Sequence, residues 1–377
     1  VDEPDSGLNR SRWRLIGGAL KLLAPAGLGV GLAFGLRTAN SYWLSAGLLW
    51  ALWVLVVIVT VRLVRHLDDR PKLREAIIRL ALALLTTCLL LLSLEMVFRL
   101  FVARSDNLGF TFASQNWLKR YWKPINSLGY RDYEWAEEDL AGKTRILVVG
   151  DSVAAGFGIK DIDDRFGGVL DDELGDDYTV MHAARSGWAT YQELVGMQEY
   201  PHRPDIVVLA YYINDILSAA AGHGAAWPSE MNAAYQAPLL VHKSYLANFV
   251  YYQVVRLPAL REEDPYFLTL REFYADPVIW ETHAGELAAV CEWTRESDIE
   301  LIVVVFPQLL APEETAFATQ KVVALFEEKG VPVLDLTYTY IGADPGTLTA
   351  NRVDAHPSRM VHHDVGVALA GLIRDLP

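Results

Sequence analysis

The stretch 145-RILVVGDSVAAGFGIKD-161 decides how the rest of the chain is read. Four apolar positions end abruptly at Gly150, and an acid, a serine and a glycine-rich tail follow. A short run that is apolar on both faces is the pattern of a strand buried inside a parallel sheet. Similar runs recur at 178-YTVMHA-183, 205-DIVVLAYY-212, 300-ELIVVVF-306 and 331-VPVLDL-336, with helical spacing between them at 163–174, 284–297 and 313–330 and a final helix near 361–375. The alternation predicts a flavodoxin-like, doubly wound α/β domain over 144–377 with five parallel strands. Residues 213–283 form an aromatic-rich insertion between the third and fourth strands. Residues 105–143 read as a connecting segment.

The other end of the chain differs in composition. Of 377 residues 52% are hydrophobic, yet the formal charge is −14. Residues 1–104 carry 13 Lys/Arg and 7 Asp/Glu, a net of +6; the remainder carries 20 and 40, a net of −20. Three apolar segments, roughly Leu15–Leu36, Trp43–Val61 and Ile77–Val102, are each close to or above the ~20 residues that cross a bilayer. They predict an N-terminal membrane domain of about three helices over 1–104. Lys21 and Pro25 interrupt the first, for which an amphipathic surface helix is the competing reading; its Gly27, Gly31 and Gly35 have the spacing that admits a close helix neighbour. Glu95 and Arg99, four residues apart, are expected to pair at the membrane interface. Basic residues flank the first span and fill the loop at 62–79. The N-terminus is therefore expected in the cytoplasm and everything after Val102 outside it, at a bacterial inner membrane. The acidic remainder argues against a nucleic-acid partner, since phosphates need a basic face. Cys88 and Cys291 make neither a disulfide framework nor a metal pattern.

Ligands of open α/β sheets bind beyond the carboxyl ends of the strands. Gly150-Asp151-Ser152 follows the first strand, 184-ARSGWAT-190 with Gly187 the second, and 211-YYIND-215 with Asn214 the third. Asp354 and His356 stand ahead of the last helix in 351-NRVDAHPS-358. A hydroxyl, a glycine amide, a carboxamide and an Asp/His pair suit acyl transfer. Serine needs a base to take its proton, imidazole is poised for that near neutral pH, and a carboxylate holds the imidazole tautomer. The oxyanion needs donors already aimed at it. Competing motifs fail on spacing: the dinucleotide glycine fingerprint lacks its third glycine, no phosphate-binding GxxxxGK[ST] is present, and Ala154 breaks GxSxG. Taken singly, Ser152 could cap a helix, Asn214 could sit in a turn and Gly187 could serve only a positive φ. His362, His363 and Asp364 read as solvated or capping, and Asp335 as a turn cap.

GDS at the first strand end, the later Gly and Asn-Asp, and the C-terminal Asp/His pair resemble the SGNH (GDSL-type) hydrolase superfamily over about 126–375. The segment 126-NSLGYRD-132 is similar to one found in its membrane-anchored bacterial branch. The resemblance implies Ser152 as nucleophile and first oxyanion donor, Gly187 and Asn214 as further donors, His356 as base and Asp354 as its partner. Gly150 and Asp151 would be structural, and no cofactor or metal is implied. Many members place the acid three residues before the histidine, where this chain has Val353; here it is two before. The implied activity is an extracytoplasmic serine esterase or O-deacetylase acting on a glycan or lipid ester. The alternatives are an O-acyltransferase fed by a membrane-bound acyltransferase partner, and an idle subunit docked through the membrane helices.

Overall fold

In the computed structural model, residues 53–55, 57–62, 64–66, 69–225, 237–256 and 265–376 are described. The first apolar segment and most of the second lie outside them, as do the glycines at 27, 31 and 35. Contacts divide the chain into two units, 1–100 with 239–247, and 101–238 with 248–377.

In the first unit, helix α1 (Pro71–Phe101) runs for 31 residues, about 46 Å. It is the one helix among the described residues that is long and apolar enough to cross a membrane. Leu80, Leu82, Leu90 and Leu91 are exposed along it. Glu95 and Arg99 both engage the 239–247 segment. The Glu95 carboxylate accepts from Ser244 Oγ and Tyr245 N, both at 2.7 Å, and from Leu246 N at 3.0 Å, capping the start of a short helix; the Arg99 guanidinium lies 5.6 Å from the Tyr245 ring centre. A carboxylate at a helix start satisfies amides that have no partner within the helix.

The second unit opens with α2 (Phe112–Tyr121), whose N-cap is Thr111. Its sheet contains β1 (Thr144–Gly150), β2 (Tyr178–Ala184), β3 (Ile206–Tyr212), β4 (Glu300–Phe306) and the short β5 (Val333–Asp335). All pairings are parallel, in the order β2-β1-β3-β4-β5. This is the flavodoxin-like order, in which the chain reverses direction across the sheet beside β1. Side chains alternate along each strand, so one face carries Leu147, Val149, Met181, Leu209 and Val303 and the other Ile146, Val148, Val180, Val208 and Val304. The first face packs under helices at Thr190–Gln198, Pro277–Glu296 and Pro312–Glu328; the second packs under Phe166–Leu174 and Arg359–Arg374. Each fully buried Val, Leu or Ile contributes roughly 1.5–3 kcal/mol, so two covered faces account for the continuous apolar runs.

Residues 105–143 group by contacts with this unit, with Ser105, Asp106, Thr111, Trp117, Arg131 and Asp132 buried. The chain around Asp354 and His356 forms a hairpin, β6 (Thr349–Asn351) against β7 (Asp354–Pro357), antiparallel with an irregular register. Smaller shifts have local causes. Asp276, capping Val278 N and Ile279 N with Pro277 next to it, starts the helix expected over 284–297 at Pro277 instead.

Candidate active site

Strand register brings three loops to one rim: Gly150 pairs with Ala184 on one side and Ala210 on the other, so the residues after each leave the sheet together. Gly150 has to be glycine because of that crowding. A Cβ there would stand 2.8 Å from the Ala154 Cβ and 2.9 Å from the Ala210 carbonyl oxygen. The chain then turns tightly: the amide of Ala155 bonds Asp151 O, and that of Phe157 bonds Ser152 O. Ser152 caps no helix, because residues 151–158 are turns. Asp151 fixes the turn, accepting from Val153 N at 2.7 Å, Ser152 Oγ at 3.3 Å and Asn214 Nδ2 at 3.2 Å.

The Ser152 hydroxyl lies 2.9 Å from His356 Nε2, and His356 Nδ1 lies 2.6 Å from Asp354 Oδ1. The two-residue spacing of acid and base follows from the hairpin. On an extended strand residues i and i+2 share a face, so Asp354 reaches the imidazole directly. Asp354 is fully buried, whereas the His356 side chain keeps 17% of its surface exposed. Burial alone would lower the imidazole pKa, but the charge and hydrogen bond of Asp354, with Asp151 and Asp106 adding, raise it. Burial would likewise raise Asp354, and the charge and hydrogen bond of His356 outweigh it, so its pKa is lowered. For Asp151 burial wins over its hydrogen bonds and raises the value. Phe157 lies against the imidazole with ring centres 4.8 Å apart.

Gly187 adopts φ +83° in a turn closed by Trp188 N to Arg185 O. Among the described residues, the amides of Ser152 and Gly187 donate to no protein acceptor. Asn214 stands beside them through Asp151, in the short 3-10 turn after β3. The structure thus brings Ser152, Asp354, His356, Asp151 and Asn214 into one bonded set, with Gly187 on the adjoining loop.

Sequence reasoning missed what holds this set. Asn107 Oδ1 accepts from Ala355 N at 2.7 Å, and Asn351 links the Arg104 guanidinium to the Ser105 carbonyl, so residues 104–107 grip the hairpin on both strands. Asp106 takes amides from Leu108 and Gly109, the Thr111 hydroxyl, and Gln253 Nε2 at 2.6 Å; burial pushes its pKa up to about 6. Only the acid–x–histidine spacing could have signalled the strand. The partners at 104–107 lie some 250 positions away and leave no local trace.

The 126–132 motif has a clear task. Asn126 N donates to Tyr130 O, and Asn126 Oδ1 accepts from Tyr130 N, closing the turn that contains Gly129. The Arg131 guanidinium donates to the carbonyls of Tyr121, Ala155, Gly156, Ile159 and Lys160, clamping the loop behind Ser152. Asp132 accepts from His182 Nδ1 at 3.1 Å, His182 N at 3.1 Å, Trp135 Nε1 at 2.8 Å and Arg165 at 3.3 Å. His362, expected to be solvated or capping, is fully buried and caps: its Nδ1 accepts from Phe166 N at 3.1 Å. Asp335 caps Thr337 N.

No family model matches the chain, and no curated protein matches it. Solved structures do. A member of the lipolytic protein G-D-S-L family from Veillonella parvula DSM 2008 is 12% identical with a TM-score of 0.37, covering 62% of this chain and 99% of that one. The psychrotrophic esterase EstA from Pseudoalteromonas sp. is 12% identical with a TM-score of 0.37, covering 62% and 97%. A GDSL-like lipase from Bacteroides thetaiotaomicron VPI-5482 is 11% identical with a TM-score of 0.35, covering 65% and 93%. The chain is similar in structure to these lipolytic proteins.

Proposed function

We propose that the protein is a membrane-anchored, extracytoplasmic serine esterase or O-deacetylase working through an acyl-enzyme on a carbohydrate or lipid ester. The observation that carries the reading is the continuous Ser152–His356–Asp354 chain, at 2.9 and 2.6 Å, beside two amides that donate to no acceptor among the described residues. In this mechanism Ser152 Oγ bonds to the ester carbonyl carbon as its proton passes to His356 Nε2. The oxyanion is met by the amides of Ser152 and Gly187 and by Asn214. The carbon–oxygen bond to the alcohol breaks, and His356 returns the proton to the departing alkoxide. Water then repeats the sequence on acyl-Ser152 and releases the carboxylic acid. Asp354 keeps Nδ1 protonated throughout and stabilises the imidazolium. The anchor rests on the apolar length of α1 and on the basic residues at 62–79.

A fluorophosphonate is expected to label Ser152 in the detergent-solubilised protein and to leave Ser152→Ala unlabelled. Absence of labelling in folded wild type would remove the esterase. Acyl groups delivered to an added sugar in preference to water would make the same site a transferase.

A further inference from the structure

A cavity of about 510 Å³, within the range of small-molecule sites, is lined by neighbours of the proposed site residues. Leu118, Trp122 and Phe157 give it an apolar wall; Arg131, Arg185 and Ser186 give it polarity. Two of these residues tie it to the chemistry, since Phe157 lies on the His356 ring and Ser186 precedes Gly187.

The charge of the cavity is unusual for this chain. After residue 104 acids outnumber bases 40 to 20, yet no Asp or Glu lines this cavity and two arginines do. Arg131 is spent on backbone carbonyls, which neutralise none of its charge. Arg185 is exposed and held in place: one nitrogen donates to Leu128 O at 2.7 Å, and the guanidinium lies 4.9 Å from the Tyr130 ring centre and 5.6 Å from that of Trp188. Among the described residues it has no carboxylate partner. A guanidinium fixed by rings and a carbonyl, with donors still open, is preorganised for a planar anion.

Building on the esterase reading, we infer that Arg185 selects an acidic sugar, so that the substrate is an ester of a carboxylate-bearing glycan unit. The C–H face of a pyranose ring packs on half-buried Trp122, and its carboxylate meets Arg185 at the rim, placing a neighbouring ester over Ser152. Arg185 is then a specificity residue two positions before the proposed oxyanion donor.

The test compares acetylated galacturonic acid with acetylated galactose, which differ only at the sixth carbon, and p-nitrophenyl acetate as a report on the serine alone. A charge-assisted pair predicts a kcat/KM preference for the acidic sugar of about 10- to 100-fold. The preference should collapse in Arg185→Met, persist in part in Arg185→Lys and shrink at high salt. Equal rates for the two sugars in wild type, an unchanged ratio in Arg185→Met, or a stronger preference for an acylated phospholipid headgroup would overturn it. Calorimetry of trigalacturonate binding to Ser152→Ala protein reads the cavity without chemistry. Binding that is lost on adding Arg185→Met supports the inference even if p-nitrophenyl acetate is not turned over; no binding overturns it even if that ester is.

Discussion

The second unit contains two aspartate–histidine pairs that look alike on paper and differ in every consequence. Asp354 meets His356 Nδ1 at 2.6 Å, and Asp132 meets His182 Nδ1 at 3.1 Å. Around His356 the surrounding anions prevail over burial and its pKa is raised. Around His182 burial comes first, the Arg165 charge adds to it, and the pKa is lowered despite Asp132. The far nitrogens differ as well. His356 Nε2 faces a hydroxyl, whereas His182 Nε2 is buried, without a hydrogen-bond partner among the described residues, against Gly167, where a Cβ would come within 2.0 Å. A carboxylate behind an imidazole therefore does not make a base; what stands beyond the ring and which charges surround it decide the role.

Asp354→Asn breaks the first pair and carries the largest expected effect. By analogy with other triads kcat should fall on the order of 10⁴-fold. The acid limb of kcat/KM, expected above the free imidazole value of about 6.5 in wild type, should move to lower pH in whatever activity remains. Stopped-flow ester hydrolysis across pH checks both.

Asp132→Asn breaks the second pair and should act on stability. Removing the carboxylate leaves Arg165 buried beside His182 without its closest counter-charge, a loss of roughly 3–5 kcal/mol. The Asp132 pKa is lowered in the folded protein, against burial, by His182 and Arg165. Its contribution is therefore present above the unfolded value of about 3.9 and lost as pH falls through the folded one. Thermal unfolding of the two proteins should converge in acid and separate above pH 4.

Asn214→Ala sharpens the contrast from the oxyanion side. In the proposed mechanism, loss of one donor predicts a kcat lower by about 10²–10³-fold with Ser152 labelling retained, since Ser152 and His356 keep their contact. Gly167→Ala has the smallest expected effect. It forces a methyl group onto His182 and should cost about 1–3 kcal/mol, read as a lower unfolding midpoint with an unaltered pH profile of hydrolysis.

A wider pH effect joins these. His182, His283 and His362 are buried with lowered pKa values, His362 down to about 3. Below about 6.5 the unfolded chain takes up protons that these rings refuse, so stability falls by up to ~1.4 kcal/mol per pH unit for each. His356 has the opposite sign: its raised value contributes stability below about 6.5 that is lost as pH rises through it. Urea midpoints should therefore drop between pH 7 and 5, more steeply in His356→Ala than in wild type.

Much of this was legible in the sequence because it is local. Strands buried on both sides write themselves as unbroken apolar runs, and the loops at Ser152, Gly187 and Asn214 follow such runs directly. The hairpin bearing His356 was hidden because its strands are three and four residues long. Its support at Arg104 and Asn107 was hidden because the bonds join positions about 250 residues apart. The tasks of Arg131 and Asp132 were also illegible, since a buried arginine that serves five carbonyls is indistinguishable in sequence from one that faces water. Glu193, fully buried with neither carboxylate oxygen bonded among the described residues, carried no sign of its burial either.

The grip of residues 104–107 on the hairpin also sets where the protein can be cut. A protease severing the chain at Ala103 would leave residues 104–107 and the histidine arm on one piece, with every tie between them retained. A cut only a few positions later, between Asn107 and Phe112, would leave the serine seated and its turn intact while unfastening the strand that presents the imidazole. In the proposed reading, a form cut before Arg104 keeps the support of His356 and one cut after Asn107 loses it.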